Sequence, residues 1–284
     1  MWRLIARKDV ADSIRERQLH IGVGLFAVVG LIAGFIYGDN YDPAIAEAAG
    51  GEFDPGLQFL GIIVGAALFL APIAAIMLAQ GRIVDKRSRG ELVVLLGMPF
   101  SRRDVVLGSV AGRVAVTTAV VTCLFAAATG VAALLLAPIP LLRLLAFLGV
   151  FVAFAAIFVS IGTGISAAVA STTRAAILAV GFYLFFVFRI HTVIWSLLLN
   201  GAYGTRNVPT ALRPVAAQLG PFSALRNVVT GIYPDITGAF GYFGGRPPTE
   251  TTALAEPAVG VVVLAFWAAV PLYLGYLRFE GADL

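Results

Sequence analysis

Six apolar runs decide what this chain can fold into. They occupy residues 21–37, 57–79, 105–136, 141–170, 175–199 and 258–277. A helix needs about 20 apolar residues to cross the hydrocarbon of a bilayer. The expected fold class is therefore an all-α membrane protein of six transmembrane helices. Composition agrees: 60% of the 284 residues are apolar and 13% are charged, against about half and a quarter in soluble domains. The connections leave no room for a separate soluble domain, so residues 1–284 read as one transmembrane domain. A charged segment precedes the first run and no small-x-small cleavage site follows it, which argues against a cleavable signal peptide. The single cysteine, Cys123, excludes an intrachain disulfide.

The runs carry their own packing marks. Gly30 and Gly34, and Gly61 and Gly65, are spaced for close helix approach. Pro72 and Pro271 should kink the second and sixth runs. The pair 105–136 and 141–170 exceeds a bilayer span, and Ala137-Pro138-Ile139-Pro140 stops the helix between them. Residues 1–20 contain no Pro or Gly and read as an N-terminal interfacial helix, with Ala6, Val10 and Ile14 on one weak apolar stripe.

Charge sets the expected orientation. With six spans, fourteen of the twenty Lys and Arg fall on the side that holds both termini, counting Arg113 at the inner end of the third run, where it can snorkel. Residues 38–56 lie on the opposite side and are wholly acidic. Positive residues stay inside, so both termini are expected in the cytoplasm and the protein in the cell membrane.

Residues 85–104 interrupt this pattern. They open basic, pass through a short apolar segment, break at Gly97 and Pro99 and turn basic again. Leu92, Leu95 and Leu96 share one helical face, Gly97 ends that helix, and Ser101 with Asp104 forms an S-x-x-D capping box for the next one. A short apolar helix pinned by Arg89, Arg102 and Arg103 between two spans suits docking into a soluble partner.

This arrangement resembles the cytoplasmic loop of ABC-2-type transporter permeases. Arg89-Gly90-Glu91-Leu92, Leu95-Leu96, Pro99-Phe100-Ser101-Arg102 and Val106-Leu107-Gly108 match its pattern, with Ser109 standing where relatives often have Lys. The resemblance implies a permease subunit of an ATP-driven transporter, usually an exporter. Residues 85–100 would be its coupling loop, with Arg89, Glu91, Leu92, Leu95, Leu96, Met98, Pro99, Arg102 and Arg103 meeting an ATPase subunit. It implies two ATPase subunits per complex, a second permease copy or similar permease, and short re-entrant helices in the outer loop at 200–256. In that loop Pro221 opens a short helix with Phe222, Leu225 and Val229 on one face.

The chemistry absent from the sequence fits that division of labour. Lys8 and Lys86 are the only lysines and neither ends a G-x-x-x-x-G-K motif. The chain is expected to be no enzyme and to bind no cofactor, with ATP and Mg held by the partner. His20 and His191 are the only histidines, which leaves little for a metal site or a membrane protease, and nothing points to nucleic acid. A stand-alone secondary transporter or channel is the alternative; the runs contain no acidic residue to couple protons or sodium. Arg189 and His191 in the fifth run, and Ser160 and Thr163 in the fourth, are the candidate pathway residues. Pairing of Arg189 with an outer carboxylate such as Asp39, Asp42 or Glu47, and helix packing by Ser160 and Thr163, are the competing structural roles.

Overall fold

A computed structural model describes residues 1–48, 54–205, 207–234, 236 and 253–282. The helices are α1 (Trp2–Arg15), α2 (Arg17–Asp39), α3 (Pro43–Ala48), α4 (Pro55–Ala79), α5 (Arg82–Ser88), α6 (Glu91–Gly97) and α7 (Arg102–Leu134). They are followed by α8 (Leu141–Ala168), α9 (Thr172–Val187), α10 (Ile190–Tyr203), α11 (Val215–Gln218), α12 (Pro221–Ile232) and α13 (Pro257–Glu280). Among the described residues there is no strand. Among the described residues five helical stretches are long and apolar enough to cross a membrane, Leu19–Asp39, Pro55–Ser88 (α4 with α5), Arg102–Leu134, Leu141–Ala168 and Pro257–Glu280, and the bent pair α9 and α10 makes a sixth if it is one span. The chain is an all-α, multi-pass membrane protein.

The bundle is built around α7 and α8. The first packs against α1, α2, α4 and α8; the second against α4, α7 and α13, with α12 lying along α13. Glycines set the closest approaches. A methyl group at Gly30 or Gly34 would stand 2.3 Å from the carbonyl oxygen of Leu124 or Ala128, so the first small-residue pair seats α2 on α7. Gly164 and Gly275 do the same for α8 and α13, where a Cβ on Gly275 would lie 2.1 Å from the Gly164 carbonyl oxygen. Gly275→Val is expected to lower stability by about 1–3 kcal/mol, through overpacking. Gly65→Val, where nothing lies within 4 Å, should leave the detergent melting temperature unchanged.

Aromatic rings fill the half of the core opposite the termini. Phe154, Phe158, Phe182, Phe222 and Trp267 pack ring against ring between α8, α9, α12 and α13, edge-on except for the tilted pair of Phe158 and Phe222. The short helix expected at Pro221 is α12, and Phe222, Leu225 and Val229 are buried as its spacing required. Residues 237–252 of the 200–256 loop lie outside the described residues.

The fifth run corrects a sequence expectation. Residues 175–199 do not form one straight span: α9 stops at Val187, and α10 leaves it at 66°. The chain turns at Arg189, which adopts φ +55°. From Phe182 to Asn200 there is no Gly or Pro, so no residue type announces the break.

Candidate functional site

Both termini meet at one pole of the bundle, together with α5, α6 and the start of α7. The Trp2 N–H donates to Asp104 Oδ1 at 3.0 Å. Arg102 Nη1 donates to the carbonyl oxygens of Phe279, Glu280 and Ala282, the last two at 2.8 and 2.9 Å, so one guanidinium caps the end of α13. A small second core lies beneath, formed by Ile5, Ile83, Leu92, Val105, Val106, Ala167 and Phe279.

Local sequence explains the hairpin that sits on this core. Gly81 breaks the helix after Ala79, and Ser166 of α8 supplies the missing cap: its Oγ accepts from the backbone N–H of Ile83 at 3.0 Å and of Val84 at 3.1 Å. Gly90 turns the chain in the left-handed region at φ +71°. Then α6 runs to Gly97, and Met98 is extended ahead of Pro99. The capping box forms as expected: Ser101 Oγ accepts from the Asp104 N–H at 3.1 Å, and Asp104 Oδ2 accepts from the Ser101 N–H at 3.2 Å.

The structure divides the residues expected at the docking face. Leu92 is 0% exposed, and Leu95 and Leu96 are half-buried against the same small core. That leucine face therefore holds α6 to its own protein. The outward face is Val93 and Val94, 59% and 67% exposed, continued by Met98 and Pro99 and flanked by exposed Arg89 and Arg103. Glu91 is half-buried, 4.0 Å from Arg89. Arg102 is turned inward to the chain end rather than outward.

Charges lock the hairpin from behind. Arg113 is 0% exposed, and its Nε donates to Asp9 Oδ2 at 2.7 Å; Lys86 lies 3.8 Å from the other oxygen. Arg113 does not snorkel. Its helix faces α1 through Gly108 and Gly112, where a Cβ would lie 2.6 Å from Ile5 Cβ and 2.8 Å from Asp9 Cβ. The buried stripe of α1 is Ile5, Asp9 and Ser13, not Ala6, Val10 and Ile14. One turn further, Arg82 donates from Nη1 to Glu16 Oε1 at 2.5 Å and from Nη2 to Oε2. That guanidinium holds the Glu16 carboxyl below the usual carboxylate range. Sequence reasoning does not single out Asp9 or Glu16; for Asp9 the available signal is the i, i+4, i+8 spacing of Ile5, Asp9 and Ser13.

The pathway candidates do not converge. Ser160 Oγ donates to the Ala156 carbonyl at 3.0 Å within its own helix. Thr163 is fully buried beside Gly162, which touches Ile76 and Ala79 of α4. Arg189 lies beyond the 16 residues of α9, about 24 Å from the start of that helix at 1.5 Å per residue. Asp54, for its part, pairs with Arg143 at 2.9 Å, whereas Arg189 forms no ion pair among the described residues. His191 stacks on Phe185 and Phe186. A cavity of about 10 Å³, room for roughly one water, is lined by Phe186, Arg189, His191, Gly220, Phe222 and Ser223. Because φ is positive at 189, Arg189→Gly should preserve the melting temperature and Arg189→Val should lower it, by about 1–2 kcal/mol of stability.

Comparison with known proteins agrees with this geometry. Residues 3–284 match the family described as ABC-2 family transporter protein. The chain is 26% identical over 288 residues to the "Probable ABC transporter permease protein NosY" of Pseudomonas aeruginosa, covering 97% of this chain and 96% of that protein. It is 27% identical to the protein of the same name from Stutzerimonas stutzeri, covering 99% and 98%. With its family pattern running from end to end, the chain belongs to the ABC-2 family of transporter proteins and is an ABC transporter permease.

Proposed function

We propose that this permease exports its substrate as one of two membrane subunits and is driven by two separate ATPase subunits seated on α6. The carrying observation is the placement of α6: a two-turn apolar knob exposing Val93, Val94 and Met98, held by its leucines on a small core that includes Ile5, Ile83, Val105, Ala167 and Phe279. A membrane protein that exposes such a patch outside its spans needs a soluble partner to cover it. ATP and Mg belong to that partner, because the sequence has no P-loop lysine. Export rests on the likeness of the loop and span pattern to permeases of this family. A second permease subunit is proposed for the apolar side left open by α9 and α10, where Ile177, Phe188, Leu197 and Leu198 are exposed.

The pole that carries α6 is proposed to be cytoplasmic, as its Lys and Arg require. In a Cys123→Ser background, a cysteine at Glu47 should react with an impermeant thiol reagent on intact cells, and one at Ser88 only after the membrane is opened. Labelling of Ser88→Cys in intact cells would reverse the orientation. Co-purification of the native complex should bring down a P-loop ATPase; a permease active in transport without one would favour the secondary-transporter alternative.

A further inference from the structure

Beside the charge lock, α1 and α7 form a wide, open groove that the docking function does not use. Its volume is about 550 Å³, and its walls include Trp2, Arg3, Arg7, Val10, Ile14 and Ala115. The groove is polarised along its length. The two helices run parallel, with Ile5 on Gly108 and Asp9 on Gly112, and α2 continues the same direction with Gly22 beside Val120. Arg3 and Arg7 therefore stand at the end farther from the spans, and Val10, Ile14 and Ala115 at the end nearer to them.

The bilayer edge falls inside this groove. The 33 residues of α7 extend about 50 Å at 1.5 Å per residue, against about 30 Å of hydrocarbon. Counting about 20 residues back from Leu134 brings the inner edge of the hydrocarbon to Ala115. The apolar end of the groove then opens to acyl chains and the arginine end to headgroups. Among the described residues neither Arg3 nor Arg7 forms an ion pair, and Arg3 lies 5.6 Å from the Trp2 ring centroid. Tryptophan favours this depth.

We infer that the groove holds one anionic phospholipid, its phosphate between Arg3 and Arg7 and an acyl chain along Val10, Ile14 and Ala115. Charge complementarity selects the headgroup, since two unpaired guanidinium groups and no exposed carboxylate line the groove. The site lies on the outer side of α1, whose inner side carries Asp9 to Arg113, so an occupied groove presses α1 onto the lock behind α6.

The test is native mass spectrometry of the purified permease, delipidated and offered phosphatidylglycerol or phosphatidylcholine at equal concentration. Selective retention of phosphatidylglycerol is expected. Arg3→Gln with Arg7→Gln should weaken it by about 30-fold, and Ala115→Trp should exclude it by filling the apolar end. Equal retention of both lipids, or variants that bind like the parent, would overturn the inference. A second readout separates lipid from protein occupants: with Cys123→Ser, a thiol probe at Ala11→Cys should be shielded in phosphatidylglycerol vesicles containing the permease alone. Shielding that appears only when an ATPase or further permease is added would assign the groove to that protein instead.

Discussion

Asp9→Leu is expected to destabilise the permease by about 3–5 kcal/mol, because it leaves a buried guanidinium without its carboxylate. Arg113 is fully buried, its Nε is bound to Asp9, and its Nη1 and Nη2 have no hydrogen-bond partner among the described residues. Lys86 would lose the same carboxylate. The damage should be local at first: α1 detaches from the Gly108–Gly112 surface and α5 loses its backing, so α6 is no longer held. Adding Arg113→Met should restore part of the loss, since replacing both charges of a buried pair by apolar groups is close to neutral, whereas Lys86 still lacks its carboxylate. Thermal unfolding in detergent of the two single variants and the double variant measures this directly. A single Asp9→Leu variant that melts like the parent would show that the pair is not buried in solution.

The second large effect concerns the outward face of α6. Val94→Asp should abolish coupling of ATP hydrolysis to transport while leaving the permease folded. A carboxylate forced into an apolar partner groove loses its hydration without gaining a hydrogen bond, which costs several kcal/mol. On the free permease the same side chain is 67% exposed, so the melting temperature should not move. Leu92→Asp is the opposite case. It places a charge in the small core with Ile5, Val105 and Phe279, and should unfold this pole whether or not a partner is present. The two substitutions lie two residues apart and separate docking from folding.

Much of this was legible because its determinants are local. The capping box needs only Ser101 and Asp104, three residues apart, and it formed. The α12 helix followed from Pro221 and the spacing of Phe222, Leu225 and Val229. The location of the knob between Gly90 and Gly97 was equally readable. Its orientation was not. Leu92 through Leu96 are apolar on every side, so periodicity could not say which face turns inward; that depends on Ile5 and Phe279, at the two far ends of the chain. Arg113 looked free to snorkel because its partner Asp9 is 104 residues away. The break at Arg189 was hidden because ordinary residues make it, held there by packing of Phe186 and His191 against one another and against the α12 side of the bundle.

The account stands most directly on what touches Met98 in the assembled transporter. A photoreactive phenylalanine analogue in place of Met98, irradiated in native membranes, should yield one dominant adduct, with a polypeptide that carries a P-loop; the same analogue at Leu197 should yield none with it. Adducts at Met98 confined to a second permease copy or to lipid would contradict the assignment of α6 as the ATPase-docking element.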